Sequence, residues 1–288
     1  MDVADYLTVL PPAEARAKAI GLAATHYENF AVSSRFIPAE LRERFALLYA
    51  FCRATDDLGD EAPGDRLALL ATWRTQFEAA LGGAAEVPWP LAGAAELVTT
   101  HGLPAQYFRD LILANERDQT VTRHADWDAL QAYAALSANC VGRLVLRIFG
   151  IDDPECDRRS DAVCTGLQYA NFWQDIKVDI GKGRIYVPES EWRAAGLGEA
   201  DFGAPEASPG LRALVREKLL PRTRALFDEG DGLIPLVPVP LRRQMTLYLG
   251  GGRAILAALE KQDCDPLVRR PVVSKFTKAA LLAKAWFA

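Results

Sequence analysis

Three observations predict an all-α fold. Nearly every long segment repeats its apolar residues with helical period, strand-like alternation is scarce, and the breaks fall at proline and glycine. At 288 residues, 50% of them hydrophobic, the chain can bury one large core, and a single domain over residues 1–288 is expected.

Each helix has a start or stop that the residues explain. Pro11 and Pro12 open the first, expected over 13–29. Pro38 precedes a second over 39–61, and Pro63-Gly64 a third over 65–81. The break "GGAAEVPWP" leads to helices over 91–100 and 105–118. Helical period resumes over 127–149 and 155–180, where the glycines and proline of "GKGRIYVPE" end it. A loop is expected over 199–210, then helices over 211–229 and 241–260 separated by "IPLVPVP", and a last helix from 275 onward. No repeat of fixed period and no low-complexity tract interrupts this order.

Charge and cysteine usage exclude several classes. The net charge of −5, with basic residues only in short clusters near Arg242 and Arg269, argues against nucleic acid as a partner. Cys52, Cys140, Cys156, Cys164 and Cys264 are odd in number, scattered and free of Cys-x-x-Cys spacing, which suits a reduced cytoplasm and no structural zinc. The first residues lack a basic flank followed by an apolar run, so no signal peptide is expected. No stretch reaches the ~18 to 20 apolar residues that span a bilayer. A cytoplasmic location is expected, with peripheral contact at the inner face of the membrane left open. The closing "FTKAALLAKAWFA" intersperses lysines with apolar residues and suits either a bilayer surface or packing on the domain.

Two helices carry more oxygen-bearing side chains than a buried helix needs. In "QYANFWQDIKVD", residues 168–179, Gln168, Asn171, Asp175 and Asp179 fall within roughly 80° of one another at about 100° per residue, and aromatic residues fill other sectors. A lone Asp-x-x-x-Asp is most often the wet side of a helix. The segment "YAFCRATDDLGDE", residues 49–61, repeats the spacing with Asp56 and Asp60 and sets Tyr49 and Arg53 on the same face. Four carboxylates drawn together would repel unless cations sat between them. Mg²⁺ meets that need, because it takes oxygen ligands and is held by a few carboxylates plus substrate phosphate. A diphosphate is then the natural guest. In "YAALSANCVGRLVLRIFG", Tyr133, Ser137, Cys140 and Leu144 share a face beside small residues, which suits close packing or a hollow.

These motifs resemble the squalene/phytoene synthase family, the head-to-head prenyl synthases. The segments "DDLGD" and "QYANFWQDIKVD" are similar to the family's two aspartate-rich helices, "GRIYVP" follows the second, and the resemblance runs from "HYENFAVSSRFIP" to "GGGRAILAALE". Within the family, "ENFAVSSRFIP", "SANCVGRLVLRIFG" and "TGLQYANFWQDI" look most like the hydroxysqualene-forming branch of bacterial hopanoid biosynthesis. The resemblance implies the isoprenoid synthase fold, helices around a central apolar channel, and a prenyl diphosphate substrate. For that branch it implies presqualene diphosphate and water as reactants, hydroxysqualene as product and no NADPH. It implies Asp56, Asp60, Asp175 and Asp179 as Mg²⁺ and diphosphate ligands, supported by Gln168 and Asn171. Arg53, His26, Ser34 and Arg184 would touch diphosphate, and Tyr49, Tyr133 and Phe30 would line the place it leaves from. Gln174 stands where phytoene-type relatives carry arginine, so one phosphate contact of that branch is absent. Other enzymes of squalene and hopanoid synthesis are the partners this implies.

Competing readings remain open at this point. Squalene or presqualene diphosphate synthesis from two farnesyl diphosphates, phytoene or dehydrosqualene synthesis, head-to-tail prenyl transfer and terpene cyclisation all use acidic helices. A helical scaffold would explain the period but not the matched stripes. Quenching by water calls for a polar residue near an apolar site, and Ser137 and Asn139 are the candidates. Asp57 and Glu61, about 100° off the acidic face, read as secondary or solvated, and His101 and His124 as loop residues without a role. Cys140 reads as a wall residue, Trp173 and Trp192 as packing.

Overall fold

The computed structural model describes residues 2–25 and 36–288. His26, Phe30 and Ser34 lie outside the described residues. Among the described residues the chain is all-α, without strands and with isolated bridges at Val9 with Pro88 and Arg123 with Ile185. The longer helices are Pro12–Thr25, Arg42–Asp60, Arg66–Leu81, Trp89–Thr99, Ala105–Arg117, Pro154–Gly181, Leu220–Gly230, Val239–Lys261 and Lys275–Trp286. Their starts follow local chemistry: Asp65 accepts from the Ala68 amide at 3.0 Å and Asp126 from the Ala129 amide at 2.9 Å, each satisfying a donor that the first helical turn leaves open.

Two segments depart from the sequence expectation of unbroken helices. Trp127–Ala134 and Cys140–Ile148 are joined by a π-helical turn at Ala135–Asn139. A second π turn, Val215–Leu219, joins Pro209–Leu214 to Leu220–Gly230. Pro221, which has no amide to donate and crowds the preceding turn, explains the second. The expected loop over 199–210 contains a helical turn, Glu199–Phe202, started by Asp201 accepting from the Gly198 amide at 2.8 Å and anchored by buried Phe202.

The chain packs as two compact units, one formed by residues up to 120 with 140–153, the other by 121–139 with 154–288. In the first, Phe51, Phe77 and Phe108 meet with ring centroids 5.1 to 5.8 Å apart, and buried Trp73 donates to Thr55 Oγ1 at 3.1 Å. In the second, Trp173 is fully buried and donates to Thr223 Oγ1 at 2.8 Å, the packing role expected of it. Close approach there depends on small residues: a β-carbon at Gly166 would lie 2.8 Å from the Phe227 ring. No described helix is long and apolar enough to cross a membrane.

Candidate active site

The first acidic helix, Arg42–Asp60, belongs to the first unit. Its i, i+4 geometry brings Asp56 and Asp60 onto one face. Asp56 is exposed at the surface yet crowded by neighbouring protein, and this crowding lifts its pKa to about 7. A hydrogen bond from Asn115 Nδ2 at 3.2 Å counters the rise, while the charges of Asp60 and Asp57 add to it. Asn115 is itself fixed by donating to the Leu111 carbonyl at 3.1 Å. Gln119 Nε2 donates to the Gly59 carbonyl at 3.0 Å.

Of the two readings open for Asp57, secondary or solvated, burial removes the second. Asp57 takes both its oxygens to Arg53 at 2.8 and 2.9 Å, and accepts from the Tyr6 hydroxyl at 2.8 Å. Burial, and then the Asp57 carboxylate, push the Tyr6 phenol above its ordinary pKa. Arg53 is therefore held by Asp57, one position past Asp56, with its side chain still 40% exposed. Tyr49 lies one turn before Arg53 and within electrostatic reach of the guanidinium. The oriented, half-open arginine is one the "DDLGD" segment itself positions.

The second acidic helix, Pro154–Gly181, belongs to the second unit. Asp175 forms a bidentate ion pair with Arg270, whose second contact is 3.0 Å, and Arg270 also reaches Gln174 Oε1 at 3.4 Å. Gln174 in turn donates to the Pro271 carbonyl, so the segment after residue 265 is tied to the acidic helix at two points. The sequence reading did not single out Arg270. It brings a guanidinium to the side of Gln174, the position where phytoene-type relatives carry arginine. Gln168 is half-buried and Asn171 exposed on the same stripe, and neither side chain is tied to a described neighbour.

The turn after this helix places Arg184. Lys182 and Arg184 amides both donate to the Asp179 carbonyl at 2.9 Å, and Gly183 sits at φ 77°, a conformation that glycine adopts without strain. Asp179 and Arg184 consequently line one narrow crevice with Phe172, Ile176 and Tyr186. Tyr133 lies beside this aromatic group: its ring is 5.8 Å from Tyr186 and 6.2 Å from Phe172, which stack on each other at 3.9 Å.

His124 is a loop residue, as the sequence suggested, but not an exposed one. It is buried between Tyr133 and Tyr186, at 5.2 and 5.7 Å, and burial pushes its pKa below the ordinary value. Of the two residues considered for holding water, Ser137 donates to the Tyr133 carbonyl at 3.1 Å, and Asn139 accepts through Oδ1 from Thr165 at 2.9 Å.

Among the described residues no three carboxylate, histidine or cysteine side chains converge as a ready metal cage. The donors are paired oxygens on each acidic helix, a set that fits a hard divalent cation sharing its shell with water and phosphate.

A sequence profile of squalene/phytoene synthase matches residues 23–277, and so spans both acidic helices. The chain belongs to the squalene/phytoene synthase family. A family member from Zymomonas mobilis, a hydroxysqualene synthase, is 34% identical over 211 residues, covering 71% of this chain and 69% of that one. Phytoene synthase 1 of Arabidopsis thaliana is 27% identical over 278 residues, covering 91% of this chain and 64% of its own. The crystal structure of squalene synthase HpnC from Alicyclobacillus acidocaldarius superposes with a TM-score of 0.82 at 42% identity, covering 89% of this chain and 97% of that one. The all-α fold is thus that of the family, and the chain is an isoprenoid-type synthase.

Proposed function

We propose that the chain is a hydroxysqualene synthase, converting presqualene diphosphate and water to hydroxysqualene and diphosphate. The pair of Asp-x-x-x-Asp stripes, with Arg53 at Asp57 and Arg270 at Asp175, supports prenyl diphosphate chemistry, hydroxysqualene-forming or phytoene-type alike. The observation that carries the choice of reaction is the 34% identity to a hydroxysqualene synthase over 71% of the chain.

In this reading the carbon–oxygen bond to diphosphate breaks with its electron pair on the leaving oxygen, the cyclopropylcarbinyl cation rearranges, and water adds and gives up a proton. Mg²⁺, held by Asp56, Asp60, Asp175 and Asp179, would supply charge that neutralises the leaving group. Arg53, Arg270 and Arg184 would donate to phosphate oxygens, with Gln168 and Asn171 adding uncharged polar contacts. The π-faces of Tyr49 and Tyr133 would stabilise the cation. Asn139, with its oxygen taken by Thr165, would offer its amide N–H groups to the incoming water, whereas the Ser137 hydroxyl is already spent on its own helix. His26, Phe30 and Ser34 keep the diphosphate and wall roles that the family resemblance implies. The scattered cysteines, all free, fit a reducing cytoplasm.

Phytoene-type condensation is the second reading. It is favoured by Arg270 standing beside Gln174 and by the 27% identity to a phytoene synthase. Incubation of the purified chain with Mg²⁺ and presqualene, farnesyl or geranylgeranyl diphosphate, with and without NADPH, separates the readings by product. Hydroxysqualene without NADPH is expected. Squalene formed only with NADPH, or phytoene from geranylgeranyl diphosphate, would replace the assignment.

A further inference from the structure

The helix Lys275–Trp286 carries apolar residues on the side that faces away from the protein as well as on the side that packs. It packs on Val239–Lys261 through a narrow side, where Ala285 is buried and Leu281 nestles against Gly250, so closely that a β-carbon at Gly250 would collide with Leu281. At about 100° per residue, Phe276, Ala279, Ala280, Ala283, Trp286 and Phe287 form a band centred opposite Leu281 and Ala285. Phe276 is 89% exposed, Phe287 87% and Trp286 58%, and Val272, at 70%, extends the band past the start of the helix. An isolated exposed apolar residue needs no explanation, but a contiguous band with two phenylalanines and a tryptophan marks a surface that something covers.

The charges around the band say what covers it. Lys275 borders one edge and Lys284 the other. Residues 266–288 include Arg269, Arg270, Lys275, Lys278 and Lys284 and no aspartate or glutamate, in a chain whose net charge is −5. A second copy seated on this face would set two lysine rims against each other, which opposes association. An anionic bilayer surface complements both features at once: the rings enter the boundary between headgroups and acyl chains while the lysine stems reach out to lipid phosphates. The Arg243 guanidinium lies 5.6 Å from the Trp286 ring centre and adds a cation beside an indole, the ring that favours this interface.

We propose that the Phe276–Trp286–Phe287 face docks the protein on a bilayer containing anionic phospholipid, with the helix lying in the plane of the interface. This assignment stands on exposure and charge and holds whichever family reaction the chain performs.

The test is sedimentation of the full chain with large vesicles. The chain is expected to pellet with phosphatidylcholine vesicles containing about 30% phosphatidylglycerol, and to bind pure phosphatidylcholine at least about tenfold more weakly. Phe276→Ser with Phe287→Ser, at positions too exposed to support the fold, is expected to weaken binding about tenfold or more with an unchanged circular dichroism spectrum. Lys275→Glu with Lys284→Glu is expected to abolish the preference for anionic vesicles. A chain that stays in the supernatant with anionic vesicles, or a double serine variant that binds as tightly as the parent, would overturn the proposal. So would a lipid-free dimer, seen by sedimentation velocity, that the serine substitutions dissociate.

Discussion

Asn115 reaches Asp56 because residue 59 is glycine. The side-chain nitrogen lies 3.2 Å from Asp56 Oδ1, and a β-carbon at position 59 would lie 2.6 Å from Asn115 Oδ1. The glycine inside "DDLGD" is a close-approach residue that lets a second helix touch the acidic pair. Gly59→Ala is therefore expected to push Asn115 away and remove the hydrogen bond that holds the Asp56 pKa down. The acid limb of the pH–rate profile should move to higher pH, with a fall of about tenfold in turnover near pH 7 and a stability loss of ~1–3 kcal/mol from overpacking. Lower activity with an unmoved acid limb would show that Asn115 does not tune Asp56.

Asp56→Asn and Asp175→Asn should each lower turnover by about a thousandfold or more, because each removes a charged oxygen ligand for which the amide is a poor substitute. Circular dichroism should be unchanged. Near-normal rates in Mg²⁺ for either variant would sink the ligand assignment.

Asp56→Asn should also stabilise the chelator-treated chain at pH 8. The folded-state pKa is raised from 3.8 to about 7, so ionisation costs stability progressively as pH rises through that window, and the asparagine escapes the cost. Water reaches this carboxylate and screens it, which limits the gain to ~1 kcal/mol, or about 2–4 °C in melting temperature. A variant that melts at the parental temperature at both pH 5 and pH 8 would show that the carboxylate carries no such penalty.

His124 works in the opposite direction. Its folded-state pKa lies below the ordinary 6.5, so the folded chain keeps this contribution above that value and loses it as pH falls below it. Burial is the cause, and among the described residues Nε2 meets no hydrogen-bond partner. His124→Phe, which preserves the ring packing against Tyr133 and Tyr186, should flatten the fall in melting temperature between pH 6.5 and pH 5; an equal slope in variant and parent would assign the acid sensitivity elsewhere.

Arg270 competes with any cation for Asp175. In Arg270→Ala, titration calorimetry without substrate should show Mg²⁺ binding a few-fold tighter, while turnover falls about tenfold or more through loss of a phosphate donor. Weaker Mg²⁺ binding in the variant would mean that the arginine supports the cation site and does not occupy it.

The helices were largely legible because their boundaries are local. Pro12, Asp65 and Asp126 start helices through chemistry contained within a few residues, and the acidic stripes follow from i, i+4 spacing alone. Arg53 and Asp57 also stand four apart, so their pairing had a readable signal in the sequence. What eluded the reading arrives through the tertiary structure. Tyr6 meets Asp57 across 51 positions, Asn115 meets Asp56 across 59 and Arg270 meets Asp175 across 95. The burial of His124 depends on Tyr186, which reaches it only after the chain has turned back at Gly183. Helical period reports which residues share a face and is silent on what that face meets.

The π turn at Val215–Leu219 bears on where the chain can change length. A π turn holds one residue more than the α ladder needs, so deleting a residue there removes the surplus and lets the flanking turns keep their partners, with Pro221 left to kink the helix at that point. The same deletion between Asn171 and Asp175 would rotate Asp175 and Asp179 by about 100° away from Gln168 and Asn171. Among natural variants of this chain, single-residue gaps should therefore gather at 215–219 and be missing from 168–179.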